Sequence, residues 1–327
     1  MFLPLAPRSF APGRTPRKTY EPPGFALPCA GTTGDGNMGT GFRLGDLTIH
    51  RVIEEESPLF DPLTFFPNLA PELLEENRSW LEPEAIDPAT GKLRLCIQSY
   101  VIETPHHRIL VDSCVGNHKQ RSQPFWNNKT DDSWERNLAA TGLGLGDIDY
   151  VLCTHLHVDH VGWNTRLQDG RWVPTFPKAR YLFAATEVAH WEEARKTAPN
   201  PVFEDSVLPI LEAGRADLVA GDSGIGDHLR LTPTPGHTPG HVAVEIGKEE
   251  TIAVLTGDLI HSPLQARYPE ISMRADTDQA QSAATRRRFL ECHCDTGRLI
   301  CTAHFPSPST GHVTRWGDGF RFMATAG

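Results

Sequence analysis

Thr154-His155-Leu156-His157-Val158-Asp159-His160-Val161-Gly162-Trp163 is the stretch on which the reading of this chain turns. It places three imidazoles and a carboxylate within six residues, directly after the run Asp149-Tyr150-Val151-Leu152-Cys153. Imidazole and carboxylate suit Zn²⁺ and other first-row ions, and alternate spacing on a turning loop lets neighbouring side chains face two different ions. Three histidines buried as ordinary core residues would instead need several polar partners at once. The run before them reads as a short buried strand. The ligands then stand on the loop at its C-terminal end, where open α/β sheets keep their active sites.

Working outward, further strand ends each deliver one more ligand-type residue. Pro235-Gly236-His237-Thr238-Pro239-Gly240-His241 follows the run Leu229-Arg230-Leu231-Thr232-Pro233-Thr234. Gly257-Asp258 closes Thr251-Ile252-Ala253-Val254-Leu255-Thr256, and Ala303-His304-Phe305-Pro306 follows a strand expected over 298–301. Taken singly, these are a turn histidine, a helix-capping aspartate and a surface histidine. Taken together at strand ends, they extend the metal site.

The whole chain sets the bounds. Its 327 residues are enough for a large core, in one layered α/β domain or in two smaller ones. A net charge of −10 disfavours a nucleic-acid backbone as partner and suits small neutral molecules. No apolar run approaches the ~20 residues needed to cross a bilayer, and prolines interrupt the N-terminus, Met1-Phe2-Leu3-Pro4-Leu5-Ala6-Pro7, where a signal peptide would need an apolar core. The expected location is the cytoplasm. Seven scattered cysteines without a CxxC pair read as free thiols. Cys292-His293-Cys294 in a helical stretch points its thiols apart, and Arg286-Arg287-Arg288 reads as a solvated helix face.

Residues 1–41 are dense in Pro and Gly and read as an extended arm; 42–327 form the main domain. That domain opens with a hairpin-like pair of runs over 42–53, and further strands are expected over 96–102 and 108–111. The segment 54–87 reads as a long insertion carrying Phe60, Phe65, Phe66 and Trp80, a lid or subunit contact. Helices are expected over 132–141, 186–197 and 278–294, and strands over 229–234, 241–246 and 251–256. Strands, helix, strand, helix in each half predict a two-layered sheet core with outer helices.

At this point the chain resembles the metallo-β-lactamase superfamily, whose signature is His-x-His-x-Asp-His, then a glycine-flanked His, an Asp after a strand and a late His. The match covers about Phe42 to the C-terminus. The resemblance implies an α/β fold, an αββα sandwich of two central mixed sheets flanked by helices. It implies that His155, His157 and His237 hold one Zn²⁺, that Asp159, His160 and His304 hold a second, and that Asp258 bridges them. True β-lactamases of this fold carry Cys where this chain has Asp258. The phrases around His237, Gly257-Asp258-Leu259-Ile260-His261 and His304-Phe305-Pro306 look like the branch of methyl parathion hydrolase and the acyl-homoserine lactonases. Lactonases place a Tyr three residues after the bridging Asp, where His261 stands here. Over its whole length the chain also resembles the hydrolytic dehalogenases that act on chlorothalonil, a chlorinated aromatic nitrile.

The chemistry implied is hydrolysis. Zn²⁺ lowers the pKa of a water it binds from 15.7 to about 7, which supplies a nucleophile at neutral pH. Asp159 and Asp258 would orient that water and take its proton, while His261 and His241 would donate to developing charge or support a ligand. Asp112, ending the strand Ile109-Leu110-Val111, would help position a His or water. A flat, neutral, aromatic substrate needs aromatic walls, for which the candidates are Phe60, Phe65, Phe66, Trp80, Trp126 and Trp163. Hydrolytic dehalogenation is the first expected activity, and lactone or organophosphate ester hydrolysis the alternative. The arm and the aromatic insertion predict a homodimer.

Overall fold

The computed structural model describes residues 41–326. The expected arm lies outside them except for Gly41, which opens the first strand. The first sheet takes β1 (Gly41–Leu44), β2 (Leu47–Phe60), β3 (Leu93–Glu103), β4 (Arg108–Val111) and β5 (Tyr150–Leu152) in that order. A two-stranded ribbon, β6 (Thr165–Gln168) and β7 (Arg171–Pro174), intervenes before β8 (Arg180–Ala184) and β9 (Ala216–Val219) complete the sheet. The pairs β1 to β4 are antiparallel; β4, β5, β8 and β9 run parallel. The second sheet is β10 (Gly224–Ile225), β11 (Leu229–Pro233), β12 (Val242–Ile246), β13 (Ala253–Leu255), β14 (Leu299–Cys301), β15 (Thr310–Trp316) and β16 (Gly319–Ala324), antiparallel except for β13 against β14.

The helices are α1 (Pro62–Phe65), α2 (Pro71–Leu81), α3 (Ser133–Ala140), α4 (Ala185–Ala194), α5 (Pro201–Ser206), α6 (Leu208–Glu212), α7 (Pro263–Arg267) and α8 (Gln279–His293). Three packed layers hold them to the sheets. Between the sheets, Ile49, Ile102, Leu152 and Leu182 of the first meet Leu231, Val244 and Leu255 of the second. Outside the first sheet, Val101, Leu110 and Val151 pack under Trp134 and Leu138 of α3 and Val188 of α4. Outside the second, Val254 and Ile300 pack with Phe289 and Leu290 of α8. This is the αββα sandwich, and among the described residues no helix is long and apolar enough to cross a membrane.

Two elements depart from the expectation. The insertion begins at Asp61 rather than Glu54, because β2 stays paired with β3 as far as Phe60 opposite Leu93. Register shifts at Ile53/Glu55 and Pro58/Phe60 carry the polar run Glu54-Glu55-Glu56 within the strand, and bulges of this kind re-aim a side chain. Glu54 is buried, accepting bonds from Val115 N, Gly116 N and Trp163 Nε1 at 2.8, 3.1 and 2.8 Å. The basic run is a solvated face only in part: Arg287 and Arg288 meet solvent, with Arg287 beside Glu270, but Arg286 has no exposed surface. Charge patterning treated the three arginines alike, but the face of α8 turned to the core takes one of them. The thiols of Cys292 and Cys294 belong to no metal-capable group among the described residues.

Candidate metal centre

The candidate ligand residues sit where strands stop. The loop after β5 carries His155, His157, Asp159 and His160; the turn between β11 and β12 carries His237; the turn after β13 carries Asp258; the loop after β14 carries His304. All seven converge. Donor atoms of His155, His157, His237 and Asp258 form one group within 4.8 Å, and those of Asp159, His160 and His304 form a second. Asp258 lies at the centre, its Oδ2 3.7 Å from His155 Nε2 and 3.2 Å from His237 Nε2, its Oδ1 2.9 Å from His160 Nε2 and 2.8 Å from His304 Nε2. His261 joins the cluster with Nε2 3.1 Å from Asp258 Oδ2, and Asp258, His261 and His304 form a third such group.

Four of the five imidazoles are aimed by an acceptor on their far side, while His157 Nδ1 faces His237 Nε2 at 2.8 Å. His160 Nδ1 donates to Asp112 Oδ2 at 2.9 Å, His237 Nδ1 to Asp276 Oδ1 at 2.8 Å and His304 Nδ1 to the Cys96 carbonyl at 3.0 Å. His155 Nδ1 meets Thr154 Oγ1 at 3.1 Å, and that hydroxyl in turn donates to Asp112. Carboxylates and a carbonyl only accept, so in these rings Nδ1 holds the proton and Nε2 presents a lone pair to the cluster. Asp112 itself has φ of +57°, a left-handed conformation that costs a non-glycine residue about 1 kcal/mol. It is held there while serving two ligands.

These residues fit a divalent cation. His155 Nε2 and His160 Nε2 are buried with no hydrogen-bond partner, an arrangement that soluble proteins avoid unless something else satisfies the atoms. An all-nitrogen and carboxylate donor set is one that Zn²⁺ accepts. The electrostatics agree with a site built for positive charge. Burial holds His155 and His157 well below the ordinary imidazole range. Burial works against protonation of His237 too, but Asp258 and Asp276 raise it to about 9. Burial would raise Asp258, yet His160, His304 and the other surrounding imidazoles pull its carboxyl well below the usual range.

His241 plays a different part from a donor to developing charge. Its Nδ1 bonds Thr234 Oγ1 at 2.8 Å, its Nε2 accepts the Asp258 amide at 2.9 Å, and burial depresses it to about 3. It is a neutral prop for the Asp258 turn. Glycines let these turns approach: a Cβ on Gly257, whose φ is +50°, would lie 2.7 Å from His241 Nε2, and one on Gly240 would lie 2.4 Å from the Glu187 amide nitrogen. Glu187 is buried on α4 and accepts from Leu156 N and Gly240 N, joining the first ligand loop to the His237 turn. Neither Glu187 nor Asp276 announces itself in sequence. Both are isolated acids whose partners in the ligand turns lie 31 to 53 residues away.

The aromatic candidates separate. Phe65 meets His261 edge to face at 5.5 Å, and Phe60 links it at 5.2 Å to Phe125 and Trp126 at 5.5 and 6.0 Å. Phe66 is fully buried behind Phe65. Trp80 packs on Trp316, and Trp163 stacks on Trp134 at 5.1 Å in the core. Trp191, which sequence reasoning passed over, lies 5.5 Å from the His157 ring on the other flank.

Comparison with known proteins agrees with this geometry. The family model described as the metallo-beta-lactamase superfamily matches residues 97–304. The N-acyl homoserine lactonase AiiA of Bacillus thuringiensis subsp. kurstaki is 26% identical over 195 residues, 54% of this chain and 70% of that protein. A Ribonuclease Z of Mycolicibacterium gilvum (strain PYR-GCK) is 26% identical over 219 residues, 54% of this chain and 73% of that protein. Among solved structures, a hydrolase named AbOPH superposes with a TM-score of 0.73 at 23% identity, covering 88% of this chain and 97% of that one. The dizinc quorum-quenching lactonase AidC gives 0.73 at 20% identity with the same coverage. These likenesses in shape establish the fold. With the family match spanning most of the chain and its ligand set converging at the strand ends, the protein belongs to the metallo-β-lactamase superfamily and is a metal-dependent hydrolase.

Proposed function

We propose that this hydrolase displaces chloride from a chlorinated aromatic nitrile of the chlorothalonil type, with one or two divalent cations, Zn²⁺ first among them, held by His155, His157, Asp159, His160, His237, Asp258 and His304. The observation that carries this reading is the row of aromatic side chains beginning at the ligand cluster, buried at Phe65 and Trp126 and opening to solvent at Phe125. It runs from His261 through Phe65 and Phe60 to Trp126 and to Phe125, which is 40% exposed. A flat, uncharged ring packs edge to face or offset on such a row without needing a charged clamp. A net charge of −10 disfavours anionic substrates.

A bound cation supplies water activated at neutral pH. The chain's own residues do the rest. Water oxygen bonds to a ring carbon bearing chlorine, the C–Cl electron pair leaves with chloride, and a water proton passes to a carboxylate. Asp159 is placed to take that proton, because its side chain is 13% exposed whereas Asp258, at 4%, is enclosed by imidazoles. His261, between Asp258 and Phe65, is placed to donate to the charge that spreads into ring and nitrile.

Lactone or phosphotriester hydrolysis is the second reading, favoured by the lactonases among the relatives; His261 in place of a Tyr weighs against it. A panel of chlorothalonil, an acyl-homoserine lactone and an aryl phosphotriester, scored for chloride, acid and phenol, separates the two. Chloride release abolished by chelation is the expected result. Rapid lactone or ester cleavage with no chloride release would overturn the proposal.

A further inference from the structure

Arg286 is the largest charged side chain with no exposed surface among the described residues. Burying a guanidinium is expensive unless its five N–H groups are bonded and its charge is answered. Here its partners are the turn that carries Asp258, the segment 269–271, Ser282 on its own helix, and Asp276, the carboxylate that holds His237. Nε donates to the Leu259 carbonyl at 2.8 Å, one residue beyond Asp258. Nη1 donates to the Pro269 and Ile271 carbonyls, both at 2.7 Å. Nη2 donates to Ser282 Oγ at 2.9 Å and lies 3.6 Å from Asp276 Oδ2. The other oxygen of Asp276 holds His237 Nδ1, and Asp276 Oδ2 also accepts the Met273 amide at 3.0 Å. One guanidinium thus touches the main chain beside one ligand and the carboxylate that aims another.

Placement on α8 makes this possible. Asp278 caps the helix through Gln281 N, and the segment immediately before it, Thr277 N to His237 O and Asp278 N to Gly236 O, is bonded to the His237 turn. From the second turn of α8, Arg286 reaches back across that segment to the Asp258 turn. We propose that Arg286 is a positioning residue for the cation seat formed by His155, His157, His237 and Asp258, setting the spacing between His237 and Asp258. This rests on the metal reading of the cluster and is independent of the substrate.

The test uses the full chain, stripped of metal and reloaded with Co²⁺, in wild type and in the variants Arg286→Lys, Arg286→Gln and Asp276→Asn. Circular dichroism reports folding, chelator competition reports affinity, and the visible d–d bands report ligand geometry. Loss of an outer partner weakens a metal site by about 10–100-fold, so that loss is expected for the first Co²⁺ equivalent in Arg286→Gln, together with shifted bands. Lys keeps the charge but cannot span three carbonyls, so Arg286→Lys should bind more weakly than wild type with altered bands. The double variant with Asp276→Asn should lose little more than either alone, because the two act on one ligand. Wild-type affinity and bands in a folded Arg286→Gln, or in Arg286→Lys if Gln prevents folding, would overturn the proposal. Failure of wild type itself to bind Co²⁺ would instead overturn the metal reading.

Discussion

The loop 155–160 and the three later turns supply the same kind of ligand by opposite routes. The loop draws its support from nearby in the first sheet: Asp112, ending β4 next to β5, serves both Thr154 and His160. The later ligands are supported by several different elements. His237 relies on Asp276, Asp258 on His241 and Arg286, and His304 on the carbonyl of Cys96, 208 residues earlier and in the other sheet. One half of the centre is therefore organised by a single strand pair, whereas the other draws on the segment before α8, on α8 itself, on the β12–β13 pair and, for His304, on the other sheet. Damage to Asp112 is therefore expected to be shared between seats, whereas damage to Asp276 or Cys96 falls on one ligand.

The strongest perturbation removes the residue shared by both ligand groups. Asp258→Ala leaves the imidazoles of both groups without their carboxylate. Cation content measured by elemental analysis should fall toward zero, a larger loss than the about 10–100-fold expected from an outer partner. Retained content at two equivalents would mean that Asp258 is not shared.

Next, Asp112→Asn and Asp276→Asn set the halves against each other. By titration calorimetry Asp112→Asn should weaken both cation equivalents, since it disturbs His155 and His160, and Asp276→Asn only one, each by about 10–100-fold. If Asp276→Asn weakened both equally, the contrast between the halves would fail.

Glycine substitutions probe packing rather than ligation. A Cβ at Gly162 would lie 1.8 Å from the Val115 carbonyl oxygen, and one at Gly240 2.4 Å from Glu187 N. Both contacts are with backbone, so Gly162→Ala and Gly240→Ala should each cost about 1–3 kcal/mol, Gly162 the more, read as a lower denaturation midpoint. Only Gly240→Ala should also loosen the join between the first ligand loop and the His237 turn, seen as faster exchange of the Leu156 amide.

The smallest effect lies away from the centre. Lys119 is buried against Trp172 and Thr165, with Asp205 3.4 Å away and Arg121 on the same carboxylate; burial lowers its ammonium to about 7. An unfolded lysine titrates near 10.4. Between those values the unfolded chain binds the extra proton, so this group makes stability rise as pH climbs from about 7 toward 10, and its full cost is present below 7. Urea midpoints of metal-free protein should rise over that window, and Lys119→Met should flatten the slope. An unchanged slope would mean that Lys119 stays charged inside.

Much of this was legible in the residues. Strand ends with His and Asp are short-range signals, and β5, β11, β12, β13, α3, α4 and α8 lie within a few residues of their expected places because alternation and capping are local. β2 beyond Ile53 was not legible, since a bulged strand carrying Glu54 to Glu56 breaks the period-two pattern. The C-terminal hairpin β15–β16 and the β6–β7 ribbon follow from pairing rather than from patterned runs.

The chain by itself determined which atoms can ligate: three imidazoles and a carboxylate in six residues, with three more ligands at strand ends, leave few other chemistries open. Tertiary structure alone decided which of the many other polar residues serve them. Asp276, Glu187, His241 and Arg286 have no local mark, because a hydrogen bond across 17 to 53 residues is specified by how two sheets and a helix pack, and the same side chains in another fold would face water.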